Sequence, residues 1–272
     1  MNLPERNPNR NHRVLEEILA GTRQALPGLR TRRGELERAA ATALEAPPFV
    51  AALRGPRVAL IAEVKRRSPS AGAINPDLDP EALADCYARG GAAAVSVLTE
   101  EAHFGGTLGD LIRVRGRVAL PLLRKDFILD EVQLIEARAA GASAALLIVR
   151  ALEQAELERL IRAAARWGLA ALVEAHDREE LDRALDAGAE VVGVNARNLD
   201  DFTVDLDRAL ELVARVPARC VAVAESAMAT RGDVERAAAA GADAVLIGGA
   251  LASAADPEAQ ARELAGVARR GR

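Results

Sequence analysis

Arg138-Ala-Ala-Gly-Ala-Ser-Ala-Ala145 reads as the end of a helix, a turn glycine and the start of a strand. Glycine is the residue that most easily closes a helix with a positive φ, and the alanines beyond it open an apolar run. The pattern recurs as Ala88-Arg-Gly-Gly-Ala-Ala-Ala-Val95, Leu185-Asp-Ala-Gly-Ala-Glu-Val-Val192 and Ala238-Ala-Ala-Gly-Ala-Asp-Ala-Val245. Gly91, Gly141, Gly188 and Gly241 stand 50, 47 and 53 residues apart. One βα unit takes about 25 residues, so each interval holds two units and four copies make eight. The spacing therefore predicts an α/β fold, a (β/α)8 TIM barrel, over residues 58–272. Strands are expected at 58–64, 93–98, 118–123, 143–149, 169–173, 190–194, 219–224 and 243–247. They are apolar on both faces, as a parallel sheet covered by helices requires. A doubly wound open sheet is the alternative. The count of eight disfavours it, as does the lack of a dinucleotide fingerprint after the first strand.

Residues 1–57 keep a different rhythm. Val14, Leu15, Ile18, Leu19 and Leu26 recur at helical spacing over Asn11 to Leu26. Thr31 to Leu44 reads as a second, Arg/Glu-rich helix, stopped by Pro47-Pro48 ahead of an apolar connector from Phe49 to Leu53. We read 1–57 as an N-terminal helical extension packed on the barrel, with 1–272 forming a single domain.

Composition narrows the function. A net charge of −4 with scattered charges and 2% aromatic residues argues against a nucleic-acid surface. No apolar run approaches 18 residues, so no membrane span is expected, and the N-terminus lacks a signal-peptide core. Cys86 and Cys220 read as free thiols of a cytoplasmic protein. His12, His103 and His176 are isolated in sequence, so no metal site is expected.

The chemistry is signalled by lysine. Of 36 Lys and Arg residues only Lys65 and Lys125 are lysines. Lys can give up a proton where Arg cannot. Each ends an apolar run: Leu60-Ile-Ala-Glu-Val-Lys-Arg-Arg-Ser-Pro-Ser-Ala-Gly72 and Val118-Ala-Leu-Pro-Leu-Leu-Arg-Lys-Asp126. In such a barrel the C-terminal strand ends form the active site. Those ends carry Glu63 and Lys65, Glu100 and Phe104, Lys125 with Asp126 and Phe127, Glu174, Asn195 and Arg197, Glu225 and Ser226, and Gly248-Gly249. One polar strand end is most simply a solvated end; seven converging on one mouth point to a site. Backbone N–H groups at Ser226-Ala227 and Gly248-Gly249, beside helix starts, suit a phosphate. Two lysines, at least two carboxylates and a phosphate cup suggest acid–base work on a phosphorylated, sugar-like substrate. The loop Arg66 to Ala73 is expected to close over it.

Together, Glu63-Val-Lys-Arg-Arg-Ser-Pro-Ser70, Leu123-Arg-Lys-Asp-Phe127, Leu172-Val-Glu174, Gly193-Val-Asn-Ala-Arg-Asn-Leu199 and Ala224-Glu-Ser226 resemble the indole-3-glycerol phosphate synthase family, in its order and over nearly the whole chain. The resemblance implies ring closure, decarboxylation and dehydration of 1-(2-carboxyphenylamino)-1-deoxyribulose 5-phosphate in tryptophan biosynthesis, without metal or cofactor. It implies that Lys125 is the general acid of ring closure. Lys65 binds the substrate anions and takes part in the dehydration, in which Glu174 is the base. Glu63, Asn195 and Glu225 orient these groups and the sugar hydroxyls, and Arg197 helps position the site. Phe104, Phe127, Leu146, Pro69 and Phe202 form the pocket for the anthranilate ring, and Ser226, Ala227, Gly248 and Gly249 hold the phosphate. The implied partner is a phosphorylated small molecule, with no nucleic acid and no membrane. The oligomeric state stays open, with a monomer favoured.

The chain departs from the family pattern in places. Ala227 stands where the family usually has Gly, and alanine resists positive φ. Gly249, Ala252 and Thr107 replace the family's Ser, Met and Ser. Two competing functions are another phosphate-binding barrel enzyme such as a phosphoribosylanthranilate isomerase, and a silent barrel acting as a binding subunit. The first would use a Cys–Asp pair, but Cys86 falls inside a predicted helix. Against the second stands the retention of both lysines and Glu174.

Overall fold

The computed structural model describes residues 8–69, 72–198 and 203–271. Eight parallel strands close into a barrel: β1 (Ala59–Val64), β2 (Ala94–Leu98), β3 (Leu122–Lys125), β4 (Ala144–Ile148), β5 (Ala170–Ala175), β6 (Val191–Asn195), β7 (Val221–Glu225) and β8 (Ala244–Ile247). Each strand pairs with the next in sequence, and β1 closes the ring against β8, so the doubly wound alternative is excluded.

The four glycines of the repeat do what their spacing predicts. Gly91, Gly141, Gly188 and Gly241 take φ between +85° and +91°, just past the ends of the helices that precede β2, β4, β6 and β8. Those four helices, and the ones before β3 and β7, also start on a side-chain cap. Asp79, Asp177 and Asp205 each accept a backbone N–H, and Thr107, Asp130 and Thr230 form capping boxes.

Element ends shift by a few residues from the sequence reading, most at β3 and the first helix. β3 begins at Leu122, not at 118. Val118 N–H is still bonded to Val114 O, closing the preceding helix, and Pro121 has no N–H to give to a sheet. The first helix runs from Pro8 to Thr31, through Pro27. A proline costs a helix one donor and some bending, and the last turn regains a contact where Thr31 Oγ1 donates to Gly28 O at 2.7 Å. Helices Arg33–Thr42 and Phe49–Ala52 complete this segment.

Strand parity sorts the side chains. On β1, Leu60, Ala62 and Val64 pack with the outer helices, while Ala59 and Ile61 belong to the cluster inside the barrel. The inner cluster takes Ala94 from β2, Leu123 from β3, Ala144 and Leu146 from β4, Leu172 from β5, Val191 from β6, Val223 from β7 and Leu246 from β8. Ile18, Leu19, Phe49 and Leu53 join it from the N-terminal segment. Among the described residues no helix is long and apolar enough to cross a membrane.

Candidate active site

The same parity that buries Ile61, Leu123, Leu172, Asn195's neighbour Gly193 and Val223 carries forward two residues to Glu63, Lys125, Glu174, Asn195 and Glu225. Each is thus the last or next-to-last residue of its strand, aimed along the barrel interior. They line one cavity of about 340 Å³, together with Lys65, Pro69, Phe104, Phe127, Leu146, Arg197, Ser226, Ala227, Gly248 and Gly249. Of the expected strand-end and pocket residues that the structure describes, all but Glu100 lie on this cavity; Phe202 falls outside the described residues.

The two lysines are held by carboxylates. Lys125 Nζ lies 2.9 Å from Glu174 Oε2 and 3.6 Å from Glu225 Oε2. Lys65 Nζ lies 2.9 Å from Glu63 Oε1, and Glu63 Oε2 accepts from Ser96 Oγ at 3.3 Å. Burial disfavours the Lys125 ammonium, but the charges of Glu174, Glu225 and Glu63 outweigh it and raise its pKa above the ordinary lysine value. Burial likewise works against the Glu174 carboxylate, and Lys125 and His176 overcome it, holding Glu174 ionised well below the usual range. Glu225 goes the other way. Burial first, then Glu174 and Glu63, push it up to about 8 against the pull of Lys125. Glu225 is thus the carboxyl of this group that most readily holds a proton, and at 3.6 Å it is the more distant of the two carboxylate partners of Lys125. Its Oε1 is buried without a hydrogen-bond partner among the described residues, and a substrate hydroxyl could donate to it.

Two glycines make room for these groups. A Cβ on Gly193 would overlap Glu225 Oε1, and one on Gly248 would overlap Glu63 Oε1. Gly249 has open space before it. It begins a short helix, Gly249–Ala252, whose first N–H groups lack intrahelical partners, as at any helix start. On the adjacent strand end, Ser226 and Ala227 take φ of 67° and 61°. Alanine does adopt the left-handed conformation that the departure from Gly put in question.

Part of the cavity wall is apolar. The Phe104 and Phe127 rings stand 6.2 Å apart between centroids, tilted by 37°, with Leu146 and Pro69 on the same cavity. Asn195 Oδ1 accepts from Arg197 N at 3.0 Å, which fixes the turn that carries Arg197. Glu100 does not serve the cavity; it caps the helix Glu101–Phe104 by accepting from His103 N and Phe104 N. Asp126 borders the cavity but accepts from Thr99 Oγ1 at 2.6 Å and pairs with Arg124. The loop after β1 forms a two-residue ribbon, Arg67–Ser68 with Gly72–Ala73. At its base Arg66 is clamped on Asp110, at 2.6 and 2.9 Å.

The sequence reading missed Ser96 and Ile74, Leu98, Ile148, Met228 and Leu246, which complete the cavity's support or its walls. Only Ser96 carried a signal, a lone polar residue at an inward position of an apolar strand. Cys86 sits in the outer helix Pro80–Arg89, where Arg89 Nη2 donates to its Sγ at 3.4 Å, away from both lysines. Among the described residues no cluster could hold a metal ion.

Comparison with known proteins bears on this arrangement. The family profile of indole-3-glycerol phosphate synthase matches residues 15–264. The chain is 51% identical over 253 residues to the indole-3-glycerol phosphate synthase of Streptomyces griseus, covering 92% of this chain and 94% of that one. It is 46% identical over 253 residues to the one from Mycobacterium ulcerans, covering 92% and 93%. Among solved structures, 3-hexulose-6-phosphate synthase from Salmonella typhimurium shares the barrel alone, at 17% identity and a TM-score of 0.60 over 76% of this chain and 97% of that one. The chain belongs to the indole-3-glycerol phosphate synthase family.

Proposed function

We propose that this site converts 1-(2-carboxyphenylamino)-1-deoxyribulose 5-phosphate into indole-3-glycerol phosphate, carbon dioxide and water. The observation that carries it is one cavity holding two Lys–Glu pairs, Lys125–Glu174 and Lys65–Glu63, each at 2.9 Å, and lined also by the Phe104 and Phe127 rings. An aromatic carboxylate fits between those rings and the lysines. The phosphate end fits the N–H groups of Ala227, Gly249 and Ala250 beside Ser226.

Lys125 donates its proton to the substrate ketone as the aromatic carbon closes on it, leaving a neutral amine. Lys65 draws the substrate carboxylate toward the site until it departs as carbon dioxide. A low-dielectric wall favours that step, because the anion loses solvation while neutral carbon dioxide forms. Glu174 then removes the ring proton in the dehydration, and Lys65 assists loss of the hydroxyl. Glu225, with Asn195, orients the sugar hydroxyls, and Arg197 steadies the pocket from the loop after β6. Leu146 and Pro69 complete the ring pocket, to which Phe202 is also assigned.

We read residues 1–272 as one domain, because Ile18, Leu19, Phe49 and Leu53 share the cluster inside the barrel. We place the enzyme in the cytoplasm as a monomer. The deciding experiment mixes purified protein with the substrate and follows indole fluorescence. No signal at saturating substrate would remove the proposal. Equal affinity for a substrate lacking its phosphate would remove the cup.

A further inference from the structure

Behind Glu174, on the side away from Lys125, lies a buried histidine that the reaction as described does not use. His176 follows Glu174 by two residues and so keeps its inward parity just past β5. Its side chain is 3% exposed. Nδ1 lies 2.9 Å from Glu180 Oε2, and Nε2 lies 3.2 Å from Glu174 Oε1. That second approach is an ion-pair distance, and among the described residues Nε2 has no hydrogen bond that meets the usual geometry. Glu180 is itself fixed on three sides. Its Oε1 accepts from Arg150 Nε at 2.7 Å, its Oε2 accepts from His176 N at 2.8 Å, and its own N–H donates to Asp177 Oδ1 at 2.9 Å. The imidazole therefore cannot turn away from Glu174 without breaking a braced contact.

We propose that His176 is the positioning residue of Glu174, a fixed imidazolium that stays opposite its carboxylate while Lys125 gives its proton away. This rests on the reading of Lys125 as acid and Glu174 as base. At rest Glu174 has a cation on each oxygen, Lys125 on Oε2 and His176 on Oε1. When the Lys125 proton passes to the substrate oxygen, the amine left behind is neutral and one of those cations is gone. A carboxylate that is 1% exposed with no opposite charge tends to take up a proton, and a protonated Glu174 cannot serve the later dehydration. His176 takes no part in bond making; it keeps the base ionised and aimed.

The charged and titratable groups around the ring come from every neighbouring element. They are Glu174 and the more distant Glu225 and Lys125 from the barrel, Glu180 from the helix Arg178–Asp186, and Arg150 from the turn after β4. Burial favours the neutral ring, and the two flanking carboxylates overcome burial and Arg150 to hold the charge, raising the pKa to about 9.

Two measurements test the proposal. In the first, proton–nitrogen correlation spectra are recorded on protein carrying labelled histidine. The variant His12→Asn with His103→Asn leaves His176 as the one histidine of the chain. Both ring nitrogens should be protonated at pH 7.5, and a neutral ring there overturns the proposal. The second measures steady-state kinetics of His176→Asn, His176→Gln and Glu180→Gln. For His176→Asn, kcat should fall roughly tenfold or more, the scale seen when partners that orient a functional ligand are removed, with KM changed by less than about threefold. Loss of the imidazolium raises the Glu174 pKa, so the acid limb of the kcat profile should move up by about one pH unit or more. Glu180→Gln should move that limb in the same direction. An unshifted limb with kcat within about twofold of the parent, in a variant whose melting temperature shows it folded, overturns the proposal. If the parent itself makes no indole product, the reaction assignment fails while the spectra still decide the charge on His176.

Discussion

Glu225 Oε1 occupies the space that a side chain on Gly193 would fill. The two face each other from adjacent strands, β6 and β7. The glycine thus has a packing reason that concerns the site: it lets a carboxyl group lie inside the barrel at the depth of the lysines. Gly193→Ala should displace that carboxyl, since the wall behind it is β7 itself. The expected result is a folded protein destabilised by roughly 1–3 kcal/mol, the usual cost of overpacking, with kcat/KM down by at least about tenfold for a misplaced orienting group. Thermal melts and indole fluorescence together check it. Parental kinetics in a folded Gly193→Ala variant would separate Glu225 from function.

The same carboxyl should leave a mark on stability against pH. Glu225 has its folded pKa raised from 4.5 to about 8. The folded state therefore holds this proton more tightly than the unfolded chain does. Its contribution is full below pH 4.5, declines as pH rises, and is lost once pH passes about 8. Glu225→Gln removes that titration. The difference in melting temperature, variant minus parent, should grow from pH 5 to pH 8 and then level off. A difference that stays constant with pH would mean that Glu225 is ionised in the folded protein across the range.

Lys125 should not be replaceable by another cation. Lys125→Arg keeps the charge opposite Glu174, but arginine stays protonated and cannot complete a proton transfer. Substrate affinity should persist, while turnover falls by roughly 10²–10⁴, the range for a positioned acid–base group. Lys125→Met should lose turnover to a similar or greater extent. It should also lose stability, because Glu174 is left buried with one cation instead of two. Turnover of the Arg variant within a few-fold of the parent would make Lys125 an anchor and move the acid to Lys65.

What the sequence could and could not convey follows from where polar residues stand. The barrel was legible because four turn glycines repeat at near-constant spacing and each does take positive φ. The site was legible because the strands, Ser96 apart, are apolar until the C-terminal end, where Glu63, Lys125, Glu174, Asn195 and Glu225 break the pattern. Parity past the strand end was the unused signal: His176 is Glu174 plus two, and the same step of two that places Glu63 above Ile61 would have placed it inward. The partners of His176 were not legible. Glu180 comes from a helix and Arg150 from a turn after another strand, and sequence spacing says nothing about such approaches. The start of β3 was misread because Val118-Ala-Leu is apolar enough for a strand, while the helix before it and Pro121 decide the backbone bonding.

Ala227 carries a measurable strain. At φ 61° it stands in the left-handed region, directly after Ser226 at φ 67°, in the turn that leaves β7 for the proposed phosphate cup. An L-residue with a Cβ gives up roughly 1–2 kcal/mol to sit there. Glycine would not, though it also enlarges the entropy of the unfolded chain by about 0.4–1 kcal/mol. The first effect exceeds the second, so Ala227→Gly should stabilise the protein by up to about 1 kcal/mol. The Ala227 methyl, only partly packed on the outer cluster, contributes little against this. The backbone N–H keeps its place in the variant, so inorganic phosphate should compete with substrate as well as in the parent, or better where the relaxed turn settles more closely on the anion. Denaturant unfolding and phosphate inhibition, measured side by side, check both halves. A variant that is less stable than the parent would mean that the surrounding contacts fix this turn without strain. One that is more stable but no longer inhibited by phosphate would move the anion site away from Ala227.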